Sequence, residues 1–481
     1  MKYFLPLINN GYYISSNYII KNVDKRLILY KYNETIENSF ELQYCNQLKN
    51  LRKYDIIKLR RANKKYIRLL KNKRYKYEIW IVNDRRQQAA DNGEFFFRYL
   101  RKKKPEGVEV YFAIQKNCPD YQRLKNLGNI LNINSIEYLK IFLKSDKLIS
   151  SVDDLWVDNP FGEDHQYIKD LFKFIFIFLQ NGIIKDDLSK NINRLNRKID
   201  LLITSTEREY NSLLSRNYGF NKNNLILTGL SRYDNLEKYN RYEIKKNYIM
   251  ILVMPTWISS IKGNKDSSIY ESIHSDAFKT TQFFNFYNSL INDEQLIKVM
   301  KHYNYTGVFC LHKYFAAQWV DFANNSQFVI NDICNYQELL IKGSLLITDY
   351  SSIFFDFGYM KKPIIYTQFD YEEFRLNQYP EGYFNYKKDG FGPIYFDIKS
   401  SVNSIINAIK NNCQINNKYL KRINSFFSFF DEHNNDRIYE QIMKRSNIKG
   451  KNLSNIKSID FILYFTIFFF IKIIKIVYIF F

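Results

Sequence analysis

The run from Leu345 to Phe357, LLITDYSSIFFDF, joins a buried apolar stretch to a helical pattern through two hydroxyl residues. A strand ending at Thr348 and Asp349, followed by a helix starting near Ser351, turns free N–H groups and a partial positive charge outward, which suits a diphosphate. Ser351 and Ser352 are good helix caps, and their hydroxyls add donors without adding charge. An ordinary capped strand-to-helix turn is the plainer reading of the same residues. Arg232, in the run LSRYDN, is a candidate phosphate or acceptor contact, because a guanidinium grips phosphate with two parallel hydrogen bonds. Asp356 and Glu372 could orient ribose or polyol hydroxyls; as plainer roles they are cap or salt-bridge residues. Gly390-Phe391-Gly392-Pro393 reads as a turn that lets backbone approach a ligand. There is no Walker P-loop, HExxH or GxSxG motif. No dedicated metal-ligand cluster shows, and Mg2+ is a candidate companion of a bound diphosphate rather than a reading from residues.

The elements that must position these residues are marked by alternation. Apolar, β-rich runs occur at Glu78–Val82, Val108–Ile114, Lys147–Ser151, Phe174–Leu179, Leu201–Thr204 and Asn224–Thr228, with helical patterns between most of them. Ser231 to Lys246 is polar and charged and reads as a linker. Alternation restarts at Tyr248–Met254, Gly307–Leu311, Phe328–Asn331, Leu345–Thr348 and Pro363–Tyr366. This pattern signals βαβ units and parallel sheets. The expected fold class is α/β, with two Rossmann-like doubly wound domains facing a cleft and ligands outside the carboxyl ends of the strands. The expected boundaries are 1–75, 76–235, 236–445 and 446–481.

The bulk properties narrow the partners. The chain has 481 residues, 46% apolar, and a formal charge of +22. Such an excess favours an anionic partner: nucleic acid, anionic lipid or a phosphate-rich substrate. No nucleic-acid reading module is recognisable, so nucleic acid is not expected. The five cysteines, at 45, 118, 310, 334 and 413, form no CxxC pair, which argues against a disulfide framework or structural zinc and suggests reduced thiols. The start, MKYFLPLINN, does not make a convincing signal peptide. Arg52 to Lys76 carries twelve basic residues and one acid with apolar residues at roughly helical spacing, which suits a membrane surface or a solvated helix packed on its domain. Phe461 to Phe481 is almost wholly apolar, broken by Thr466, Lys472 and Lys475. As a helix it would span roughly 30 Å, about the hydrocarbon thickness. The two lysines share a face, so a helix lying in the interface is as consistent as a span. The basic residues from Lys444 to Lys457 would hold that flank at a negatively charged cytoplasmic surface. The expected location is the cytoplasmic face of the membrane, with an anionic membrane surface as partner; a buried terminal helix is the plainer alternative.

Several runs occur together in a recognisable order. They are NDRRQQAADNGEFFFRYLRKK (Asn83 to Lys103), TSTEREY (Thr204 to Tyr210), LTGLSRYDNL (Leu227 to Leu236), MPTW (Met254 to Trp257), TDYSSIFFDFGYMKKPIIYTQFDYEEFR (Thr348 to Arg375) and GYFNYKKDGFGP (Gly382 to Pro393). The ordered set resembles the CDP-glycerol:poly(glycerophosphate) glycerophosphotransferase family over about residues 78–440. The resemblance implies a GT-B-like architecture with an acceptor-side N-terminal domain and a C-terminal domain that holds most of the nucleotide. It implies CDP-glycerol or a related CDP-polyol as donor, a polymer or lipid-linked acceptor, and CMP as leaving group. A ribitol-phosphate transferase, a glycosyltransferase on the same fold and a catalytically dead binding subunit are the competing readings. The family usually supplies two histidines. The match in the second domain is His312, and histidine suits proton transfer near neutral pH. Where the first-domain segment reads His-Gly, this chain has Asn181-Gly182, and an amide can hydrogen-bond but cannot act as a base near neutral pH. Asp186 or Asp187 are alternative bases. Lys313 replaces the family's proline after the histidine and could contact phosphate; Ser231 likewise stands where the family often has proline.

Overall fold

The computed structural model describes the backbone of 12–15, 18–23 and 26–31, and residues 77–133, 135–160, 172, 174–194, 199–215, 218–242, 249–256, 274–322, 325–330 and 336–446. Three strands, β1 (Tyr12–Ser15), β2 (Tyr18–Val23) and β3 (Arg26–Lys31), pair antiparallel in a region where the sequence reading placed no element. The basic segment Arg52 to Lys76 and the apolar segment Phe461 to Phe481 lie outside the described residues.

Two parallel sheets follow. The first comprises β4 (Glu78–Asn83), β5 (Val108–Ile114), β6 (Ile130–Asn132), β7 (Lys147–Ser150), β8 (Ile175–Phe178), β9 (Leu201–Thr204) and β10 (Leu225–Leu227), in the order β10-β9-β8-β7-β4-β5-β6. The second comprises β11 (Met250–Val253), β12 (Thr306–Phe309), β13 (Phe328–Ile330), β14 (Leu345–Thr348), β15 (Ile364–Thr367) and β16 (Ile394–Tyr395), in the order β13-β12-β11-β14-β15-β16. Every ladder in both sheets is parallel. The α/β expectation holds. β6 and β16, of three and two residues, went unread.

The sheets are apolar on both faces, as parallel sheets covered by helices must be. On β4, Trp80 and Val82 enter one core and Ile81 the other. On β14, Leu345 and Ile347 face one layer and Leu346 the opposite one. Five helices matter for the site: α1 (Asn92–Lys103), α2 (Tyr233–Tyr242), α3 (Ile353–Tyr359), α4 (Tyr371–Asn377) and α5 (Asn434–Ser446).

The two halves exchange elements. Tyr233 and Leu236 of α2 are buried in the core of the second half, and Tyr233 stacks on Tyr359 with centroids 4.2 Å apart. In return, Ile438 and Ile442 of α5 are buried in the core of the first half beside Trp80 and Val82. The stretch 434–445, placed by sequence with the second domain, therefore packs on the first. Cys118 and Cys413 are buried thiols, and that of Cys118 donates to Gln115 O at 3.0 Å. Cys310 is disulfide-bonded, against the expectation of reduced thiols, because spacing along the chain does not report approach in space.

Candidate active site between the two sheets

In the second sheet the chain runs outward from β11 to β13 and returns on the other side of β11 as β14. That reversal opens a crevice beyond the carboxyl ends of β11 and β14. Thr348 and Asp349 end β14 there, fully buried. The Thr348 hydroxyl donates to Met254 O at 2.7 Å, and the Asp349 carboxylate accepts from Thr256 N at 2.8 and 3.0 Å and from the Tyr287 hydroxyl at 3.1 Å. Both side chains thus brace the crevice wall, and burial pushes the Asp349 carboxyl above its ordinary range despite these donors. Tyr350 is clamped as well: its ring stacks on Phe374 at 3.7 Å and its hydroxyl donates to Asp370 at 2.9 Å. What the turn presents outward is Ser351 and Ser352, both half-buried. Ser352 caps α3 without a side-chain cap hydrogen bond, and the Ser351 hydroxyl accepts weakly from Ile353 N at 3.4 Å.

The first half meets this turn through the segment after β8. Asn181 is exposed and Gly182 buried. A Cβ on Gly182 would lie 2.5 Å from Ser352 Oγ and 3.2 Å from Ser352 Cβ, so a side chain there fits only if the Ser352 hydroxyl turns aside. Ile183 enters the core of the second half. Glu209, of the TSTEREY run, accepts from Ile184 N at 2.8 Å and from Ser205 N at 2.7 Å, tying the segment to the end of β9. Lys185 and Asp186 are buried and paired with each other. Arg375 of α4 adds a hydrogen bond to Asp186 at 2.6 Å. Asp186 is therefore a counter-ion to two cations and is poorly placed to be a free base. Gly382 closes over this pair, since a Cβ there would meet Lys185 O at 2.1 Å.

Arg232 and Asp356 are brought together with each other. Arg232 Nε and Nη2 donate to the two Asp356 oxygens at 2.7 and 2.8 Å, and Nη1 donates to Asp91 at 2.7 Å. All three residues are buried. The carboxylates beside it hold the guanidinium above its ordinary range even though burial opposes them. The sequence reading offered Arg232 to a ligand and Asp356 to either a ligand or a salt bridge; in this structure each is the other's partner.

The corresponding crevice in the first sheet, between β4 and β7, is filled from within. Asp84 accepts from Asp91 N, Gly93 N and Glu94 N at 3.1, 2.7 and 3.0 Å, and from the Ser151 hydroxyl. A carboxyl group thus occupies the start of α1, where a nucleotide phosphate would otherwise sit.

His312 lies three residues beyond β12, half-buried, at the carboxyl edge of the second sheet. Lys313 begins the 3₁₀ helix Lys313–Asp321; its side chain lies outside the described residues. Glu372 is exposed in the first turn of α4. The turn at Gly390–Pro393 approaches protein backbone instead of the crevice, since a Cβ on Gly392 would lie 1.8 Å from Ile364 O. Among the described residues no three His, Cys, Asp or Glu side chains are grouped to hold a metal ion. Sequence reasoning missed Asp84, Asp91, Asn92 and Lys185. The first three lie inside the NDRRQQAADNG run, which signalled an element without signalling a role.

The sequence matches the family described as CDP-Glycerol:Poly(glycerophosphate) glycerophosphotransferase over residues 64–444. It is 39% identical over 373 residues to the minor teichoic acid biosynthesis protein GgaB of Bacillus subtilis, covering 77% of this chain and 40% of that one. It is 24% identical over 382 residues to the teichoic acid poly(glycerol phosphate) polymerase of Staphylococcus epidermidis, covering 73% and 48%. The chain thus spans less than half the length of these two relatives. The solved structure of the wall teichoic acid polymerase TagF superposes with a TM-score of 0.54 at 18% identity, over 85% of this chain and 98% of that one. This likeness supports the GT-B-like arrangement of the two sheets.

Proposed function

Because the chain belongs to the CDP-glycerol:poly(glycerophosphate) glycerophosphotransferase family, we propose that it transfers glycerol phosphate, or a related polyol phosphate, from CDP-glycerol to a cell-surface polymer acceptor. Family membership carries this reading, and the approach of Gly182 to Ser352 is consistent with it. The N–H groups and hydroxyls of Ser351 and Ser352 receive the diphosphate. An acceptor hydroxyl oxygen attacks the phosphorus that bears glycerol, the phosphorus–oxygen bond to CMP breaks, and CMP leaves. His312 takes the hydroxyl proton or steadies the charge on the phosphate. Asn181 orients the hydroxyl without accepting its proton. Mg2+ is proposed only as a companion of the nucleotide. The protein works at the cytoplasmic face of the membrane, with an anionic lipid surface beneath it and a polymer or lipid-linked acceptor.

The test is CMP release by the purified full chain from CDP-glycerol, with CDP-ribitol in parallel. Release with one donor names the polyol. A second reading has its own observation, Asn181 at the strand tip: a degenerate subunit that binds nucleotide. Nucleotide binding with no release from either donor would decide for it and against transfer.

A further inference from the structure

The approach of Gly182 to Ser352 leaves less than one side-chain atom of slack between the halves. Something must set that separation. The Asn181 tip is reached through Gln180, whose backbone is left-handed at φ 62 although it is not glycine. The Gln180 carbonyl accepts from Asn92 Nδ2 at 2.7 Å. The other end of the same amide, Asn92 Oδ1, accepts from Arg232 N at 3.0 Å. Arg232 then reaches across to Asp356 with both arms of its guanidinium. Asp356 lies one helical turn beyond Ser352, on the same short helix. Its third arm ties Arg232 back to Asp91, the N-cap of α1. An unbroken chain of hydrogen bonds therefore runs from the residue before Asn181 to the helix behind Ser352.

We propose that Asn92 and Arg232 are positioning residues, a bridge that fixes the Gln180–Asn181 tip of one half against the Ser351–Ser352 turn of the other. The inference rests on the reading that both tips serve one substrate. Every link is buried: Asn92 at 0%, Gln180 and Asp356 at 1%, Arg232 at 6%. A buried ion pair contributes little net stability compared with apolar packing, but its directional fork fixes an angle that apolar contacts would leave loose. Lysine has no fork and cannot engage both Asp356 oxygens and Asp91 in the same geometry. Displacing a reacting group by about 1 Å costs on the order of 100-fold in rate.

The experiment uses the full chain and two variants, Asn92→Ala and Arg232→Lys, with two readouts. The first needs no turnover. A Gly182→Cys/Ser352→Cys pair starts with Cβ atoms 3.2 Å apart, close to the roughly 3.5–4.5 Å a disulfide requires. Its oxidation should be fast with the bridge intact and slower by about tenfold or more once either link is changed, because the sulfurs meet less often in bonding geometry. The second readout is kinetic, with single variants and without the cysteine pair. The kcat for CMP release should fall by about 100-fold, while CMP affinity stays within about threefold. If Asn92→Ala does not fold, Arg232→Lys, which keeps the buried charge, decides alone. An unchanged cross-linking rate would overturn the bridge. A fall in CMP affinity matching the fall in kcat would also overturn it, by making Arg232 a ligand contact. Cross-linking that depends on the bridge, in a protein that releases no CMP, upholds the bridge and removes the transfer reading.

Discussion

An asparagine can hold a hydroxyl but cannot take its proton, and at the residue scale that limit makes position 181 the place to test the proposed transfer. Asn181 is exposed at the strand tip, one residue from the glycine that touches Ser352. An imidazole there would stand at the crevice with a usable lone pair. Asn181→His is therefore expected to raise CMP release by about tenfold or more, since a placed general base contributes roughly 10²–10⁴-fold. A folded histidine variant no faster than the parent would show that proton transfer does not limit the proposed reaction. His312→Ala is expected to lower release by at least about 100-fold on the same scale. An alanine variant that keeps its rate would leave His312 without a role in transfer. The residues in the signature run were legible as a group but not by role. Thr348 and Asp349 looked like ligand contacts because they end a strand, yet their side chains are consumed by Met254 O, Thr256 N and Tyr287. Sequence cannot show which hydrogen-bonding groups the fold itself will use up.

At the scale of elements, the two halves repeat one device and then diverge. Each has a chain reversal that opens a crevice, between β4 and β7 and between β11 and β14. In the first, the Asp84 carboxyl supplies the acceptor oxygens for the free N–H groups at the start of α1. Desolvation, then the neighbouring Asp91 carboxylate, push the Asp84 carboxyl from 3.8 up to about 7, against the pull of Ser151. Glu94 adds to the rise, although it is paired with Arg123 and Arg98. A carboxyl raised on folding holds a proton that the unfolded chain has already lost. Its contribution to stability is full below the unfolded value near 3.8 and is lost as pH climbs through about 7. Asp84→Asn does not titrate. The parent should therefore lose stability relative to this variant between about pH 4 and pH 7, by a few kcal/mol at most, and run parallel to it above that range. Urea midpoints for the two proteins across pH check this; parallel curves throughout would mean that Asp84 is ionised at all these values. The strands themselves were legible because buried parallel strands are continuous apolar runs. Asp84 was not, because a lone acid after a strand reads equally as a cap, a ligand or a loop residue.

At the scale of the whole molecule, the exchange of helices decides where the ends of the described chain emerge. Helix α5 starts beside the carboxyl ends of the first sheet, where Asn435 donates to Ser231 O and Asp234. It runs down the first half with Ile438 and Ile442 in the core. It finishes where Arg445 donates to Asn223 O, just before β10. The first sheet begins at the same end, since Glu78 opens β4 and its N–H donates to Gly107 O. Both the basic segment before residue 77 and the basic, apolar segment after residue 446 therefore join the first half at the end opposite the crevice. The last turn of α5 carries Lys444 there, and α1 ends in Arg101 and Lys102, while Lys103 turns back to pair with Asp436 of α5. Cationic side chains near an anionic bilayer are each worth about 1 kcal/mol, and the apolar run from Phe461 adds burial that charge alone does not provide. Deleting Asp460–Phe481 is accordingly expected to move the protein from the membrane fraction to the supernatant. CMP release onto a water-soluble acceptor should stay within about twofold, because an attachment on the far side of the sheet does not touch the reacting groups. Continued sedimentation with membranes would assign attachment to the basic N-terminal segment. Loss of turnover on the soluble acceptor would mean that the tail reaches the crevice, and that the two ends of the first half are not independent.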